Sequence, residues 1–141
     1  MHDRVILRIG TKMLIPFILV FALYVQFHGD YGPGGGFQAG VIFAAAFVLY
    51  ALVFGLESAT KALPHKVVYV LAALGVMIYA GTGYVTMALG GDFLDYNVLA
   101  NDPHHGQHYG ILAVELGVVT TVFGVMVAVF YAFAGRGRAE R

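Results

Sequence analysis

At 141 residues, 60% hydrophobic and 11% charged, with a mean hydropathy of +0.79, the chain has too few charges to cover a water-facing surface and belongs in a bilayer. Its formal net charge of zero argues against nucleic acid as a partner, because neutralising phosphates takes an excess of Lys and Arg. There is no cysteine, which excludes disulfides, thiolate metal sites and thiol redox chemistry.

Four apolar stretches, 7–27, 36–56, 64–89 and 109–134, reach the length of about 20 residues that a helix needs to cross the hydrocarbon layer. All four are expected to be helices, since irregular backbone does not face lipid. The chain reads as a single all-α domain over 1–141, an integral membrane four-helix unit. Its charges divide cleanly. Arg4, Arg8 and Lys12 precede the first span, Lys61 and Lys66 flank the second connection, and Arg136, Arg138 and Arg141 follow the last, so all 8 basic residues fall on one side. Asp30, Asp92, Asp95 and Asp102 fall on the other. The positive-inside rule then puts both termini in the cytoplasm. The competing reading of 1–27 as a cleaved leader lacks a small-residue cleavage pattern before His28.

In the first span, Arg4, Arg8 and Lys12 form one cationic stripe that snorkels to the interface and meets anionic lipid. Pro16 is expected to kink this helix or free the carbonyl of Lys12. The turn that follows is the most distinctive stretch. Gly29, Gly32, Gly34, Gly35 and Gly36 surround Pro33, so the backbone can take positive φ and accept very close neighbours. The N–H groups just before Phe37 can hold an anion or a carboxylate, although no strand precedes them and no Lys-Ser/Thr follows as in a nucleotide loop. Close packing is the simpler role.

The second span carries Gly36, Gly40 and Ala44 at four-residue spacing, continued by Ala51 and Gly55. In lipid such a seam marks helix-to-helix contact. Pro64 suits the first turn of the third helix. There Gly75, Tyr79, Thr82 and Thr86 share a face that either lines a wet cavity or makes interhelical hydrogen bonds. The connection 90–108 is the longest and most polar, with three Asp and with His104, His105 and His108. It reads as an acidic cap that concentrates cations or grips a neighbour. His104 and His108 could chelate a metal only if helical, and Pro103 and Gly106 weigh against that, so no metal site is expected.

The fourth span holds the one carboxylate well inside an apolar run, Glu115. An acid there costs up to ~2.5–3.5 kcal/mol near the bilayer centre and needs a partner, protonation or water. Low dielectric would raise its pKa, as a proton-exchanging group requires; the alternative is a structural Glu held by hydrogen bonds across a subunit contact. Gly117, Thr121, Gly124 and Ala128 form a further small seam on the opposite side. Small faces look too numerous for one such unit to fill internally, so neighbouring subunits are expected.

The stretch from His28 to Gly40, with its core Pro33-Gly34-Gly35-Gly36-Phe37-Gln38, resembles the signature turn of the B subunit of Mrp-type (Mnh-type) multisubunit sodium/proton antiporters. Gly110 to Val118 and Val122 to Met126 resemble the last helix of that family, and the likeness spans essentially the whole chain. It implies a non-catalytic subunit of a hetero-oligomer in the bacterial plasma membrane, whose partners are other membrane subunits and the lipid bilayer and whose transported ions are Na+ and H+. No cofactor is expected. The candidates for the ion path or its coupling are Glu115, His28, Asp30, Gln38 and Thr82. A related module in a membrane-bound hydrogenase or similar redox complex is the alternative host.

Overall fold

The computed structural model describes residues 2–29 and 34–139. The readings placed on Asp30, Gly32, Pro33 and Arg141 lie outside them. Helix α1 spans His2–His28, α2 Gly36–Phe54, α3 Leu56–Ala62, α4 His65–Ala88 and α5 Pro103–Ala139, with a 3-10 turn at Tyr96–Leu99 between the last two. Four of them, all but α3, are long and apolar enough to cross a membrane, and no strand occurs among the described residues. The protein is therefore a multi-pass, all-α membrane protein.

The spans stand in a row rather than a closed ring. α1 packs on α2, α2 on α5, and α5 on α4. The small residues set this order. A Cβ built on Gly40 would stand 2.8 Å from that of Val122, and one on Gly36 would meet the carbonyl oxygen of Glu115. Toward α4, a Cβ on Gly75 would meet Thr121, one on Gly117 would lie 2.8 Å from the carbonyl oxygen of Gly75, and one on Gly124 would lie 2.8 Å from the Ala72 nitrogen. α5 thus offers one flank to α2 and the other to α4. The expectation that these seams exceed what the chain can fill is corrected: helices of the same chain occupy them. Gly55 does not extend the α2 seam either. Its φ of +95° breaks the helix between α2 and α3, and open space surrounds it.

At the end of the row that carries the basic residues, Ala44, Ala51, Ala59, Val68, Val127 and Tyr131 form the core. Phe47 meets Phe123 and Tyr131 edge-on at centroid distances of 6.4 and 6.0 Å, a favoured aromatic geometry. The Tyr131 hydroxyl donates to the Leu63 carbonyl at 2.8 Å, tying α5 to the end of α3. Arg8 and Lys12 both lie 5.8 Å from the Phe54 ring centre, which joins the start of α1 to the end of α2. α1 continues through Pro16 as one helix.

At the opposite end the connection is shorter than the sequence reading has it. Asp102 accepts from the His104 N–H at 3.2 Å and Pro103 occupies the first helical position, a pairing of N-cap and N1 proline that starts helices. The histidines therefore belong to α5, not to a loop. Gly106 and Gly110 lie against Tyr96, and Gln107 donates to Asn97 at 3.0 Å, so residues 96–100 are folded back onto α5.

Candidate functional site at the glycine turn

The N–H of Gly35 donates to the Val25 carbonyl in the last turns of α1 at 3.1 Å, and the Gly35 carbonyl accepts from Ala39 at 3.1 Å as α2 begins. Gly35 has φ +112°, a conformation that side chains with a Cβ rarely adopt. It precedes an α2 N-terminus that has no side-chain cap from its own N-cap residue. The first-turn N–H groups and the positive end of the helix dipole are therefore presented to whatever lies there.

What lies there is Glu115. A Cβ built on Gly29 would stand 2.5 Å from its Oε1, and one on Gly35 would stand 2.9 Å from the same atom. The carboxylate fits between the two glycines because both lack side chains. A Cβ on Gly34 would lie 2.8 Å from the Val25 carbonyl, so the turn is clamped from the α1 side as well. Three separate spans meet at this point. An acid is brought to a helix N-terminus, where backbone donors and dipole favour an anion.

The depth follows from the packing of α4 on α5. Gly117 lies level with Gly75 to Tyr79, so α4 runs on for about nine residues, roughly 13 Å, past the level of Glu115 before ending at Ala88. Gly29 and Gly35, which meet Glu115, thus lie below the outer rim formed by α4 and α5. Irregular backbone at such depth is tolerated where protein covers it.

The other predicted residues distribute unevenly. Gln38 stands at the junction, its Oε1 4.0 Å from a Cβ built on Gly35, and is exposed. His28 borders it, half-buried, with its ring 5.1 Å from that of Tyr24. Phe37 is 63% exposed and faces away from the row. Thr82 is not part of the site: it sits on α4 and its hydroxyl donates to the Ile78 carbonyl of its own helix at 2.9 Å. Nor does the face of Gly75, Tyr79, Thr82 and Thr86 supply interhelical hydrogen bonds. Thr86 bonds the following loop, and between α4 and α5 the Thr121 hydroxyl donates to the Ala72 carbonyl at 3.1 Å. His104 and His108 do come within one helical turn, but no group of three His, Cys, Asp or Glu residues suited to a metal occurs among the described residues.

One polar residue escaped the sequence reading. Gln26, in the last turns of α1, is 2% exposed, and neither its Nε2 nor its Oε1 has a hydrogen-bond partner. The signal available was an amide closing an apolar run, where it reads as an ordinary interfacial residue.

Gly29 and Gly35 closed around the Glu115 carboxylate within four candidate spans define the class: a small integral membrane unit with a polar junction inside it. The family described as "Domain related to MnhB subunit of Na+/H+ antiporter" matches residues 6–128, and the chain belongs to it. Proteins of Staphylococcus aureus strains Newman, JH1 and NCTC 8325, each named as antiporter subunit mnhB2, are 36% identical to it over 137 residues, covering 95% of this chain and 96% of theirs.

Proposed function

We propose that this chain is a non-catalytic membrane subunit of a multisubunit sodium/proton antiporter in the bacterial plasma membrane, with both termini in the cytoplasm. The family match and the antiporter-subunit relatives support the host complex. The described basic residues, Arg8, Lys12, Lys61, Lys66 and Arg136, gather at one end of the row, away from Asp92, Asp95 and Asp102, which supports the orientation. Other membrane subunits of the antiporter are the partners, and Na+ and H+ the transported ions.

Within that complex the junction of Glu115 with the glycine turn serves the cation and proton path as its coupling element. The observation that carries this reading is the Glu115 carboxylate seated between Gly29 and Gly35 at the start of α2. An acid so placed changes the hydrogen bonding of α1, α2 and α5 together whenever its charge or partner changes. Gln38 and His28 flank it, and Asp30 and Pro33 belong to the same turn by sequence.

The test is Glu115→Gln in the assembled antiporter, with ion exchange in membrane vesicles followed across pH. An altered pH profile with normal assembly supports coupling. An unchanged profile with normal assembly makes Glu115 a structural cap of α2. Copurification with the tagged chain tests the host: antiporter subunits support the proposal, and iron–sulfur subunits would replace it with a redox complex.

A further inference from the structure

The Gln26 side chain is enclosed in protein, yet both its donor and its acceptor lack a protein partner. A buried amide left unpaired is destabilising, and an apolar side chain of similar size would avoid that cost. Its position is specific. Gln26 follows Val25, whose carbonyl receives the Gly35 N–H, and precedes by three residues Gly29, which touches the Glu115 carboxylate. Residues three apart share a helix face, and α2 is the helix on which α1 packs. The buried Gln26 therefore lies on the face of α1 that packs on α2, one turn before Gly29.

The chemistry of the missing partner is set by the two atoms together. A cation would serve Oε1 and leave the NH2 group facing positive charge. An anion would serve Nε2, leave the carbonyl unpaired and sit beside a carboxylate. A ligand that both donates and accepts satisfies the pair, and water does both, making about three hydrogen bonds when buried. We infer that Gln26, the backbone at Gly29 and Gly35 and the Glu115 carboxylate together form an internal water site that joins α1 to the acid of α5. Gln26 is a positioning residue here, acting on Glu115 through water. The site stands whether or not Glu115 exchanges protons.

Two measurements on the purified, assembled complex test it. In a density map fine enough to show ordered water, a peak within hydrogen-bond distance of both Gln26 amide atoms is expected; a dry amide, or a side chain of this chain or a neighbour bonded to both atoms, overturns the inference. Gln26→Met separates the cases by sign. Loss of a water that serves the turn and the carboxylate lowers the thermal unfolding midpoint of the complex. Relief of a dry, unpaired amide leaves the midpoint unchanged or raises it, and that result also overturns the site.

Discussion

The chain reverses direction twice on the side away from its basic residues, and the two reversals solve the same problem by opposite means. Between α4 and α5 the backbone is satisfied locally. Thr86 accepts from the Leu94 N–H at 3.0 Å and reaches the Asp92 carbonyl at 3.0 Å, Asp95 accepts from Asn97, and Asp102 caps α5. Between α1 and α2 the described backbone is nearly bare, and a carboxylate some 80 positions further along the chain reaches it. A reversal built from its own side chains can stand at the rim. One built from glycine depends on the rest of the fold and can be sunk into it.

This contrast can be broken most forcefully at the glycine turn. Gly36→Leu drives a side chain into the Glu115 carbonyl and Val118, where backbone cannot yield, at a cost of about 3 kcal/mol or more. The expected result is loss of the subunit itself from membranes, seen by immunoblot with or without its partners. Normal levels of the isolated subunit with failed assembly would show that the seam faces a neighbour after all. Glu115→Ala should come next. It removes the carboxylate from the α2 N-terminus and leaves a cavity, so it should destabilise more than Glu115→Gln, and the ranking of detergent-resistant complex on native gels checks this.

The locally satisfied reversal should fail locally. Thr86→Val leaves the Leu94 N–H without its acceptor, at about 1–3 kcal/mol, while Leu94 is held at φ +64°. Faster proteolysis within 89–102 is expected, with ion exchange unchanged. An effect on exchange equal to that of Glu115→Gln would erase the distinction. The smallest change is Tyr131→Phe, remote from both reversals, which loses one hydrogen bond to Leu63 and about 1 kcal/mol, measurable as a modest drop in thermal stability with no change in the pH profile.

The spans were legible because an apolar run long enough to cross lipid has few other readings, and the charges were legible because they are sparse. Packing was only half legible. Gly36, Gly40, Gly75, Gly117 and Gly124 announce close contact, but a small-residue seam carries no mark of whether its partner is in the same chain. Taken alone, Pro103 weighs against a helix, yet after Asp102 it begins one; the dipeptide holds the signal. The meeting of Glu115 with Gly29 and Gly35 was beyond sequence reading, because each half has an adequate explanation alone. Gln26 was missed for the same reason: a single amide shows its meaning only when burial is known.

The order of the row also has a consequence for biogenesis. α2 and α4 each lean on α5, which is synthesised after both of them. When α4 is complete, about fifty more residues are needed to reach the end of α5, on the order of seconds of translation. Through that interval the glycines of α2 and α4 have no surface to meet, and only α1 and α2 can pair. A message truncated before codon 103 would thus yield apolar segments with no keel, ready substrates for membrane quality control, and the finished chain gains its shape in a single late step.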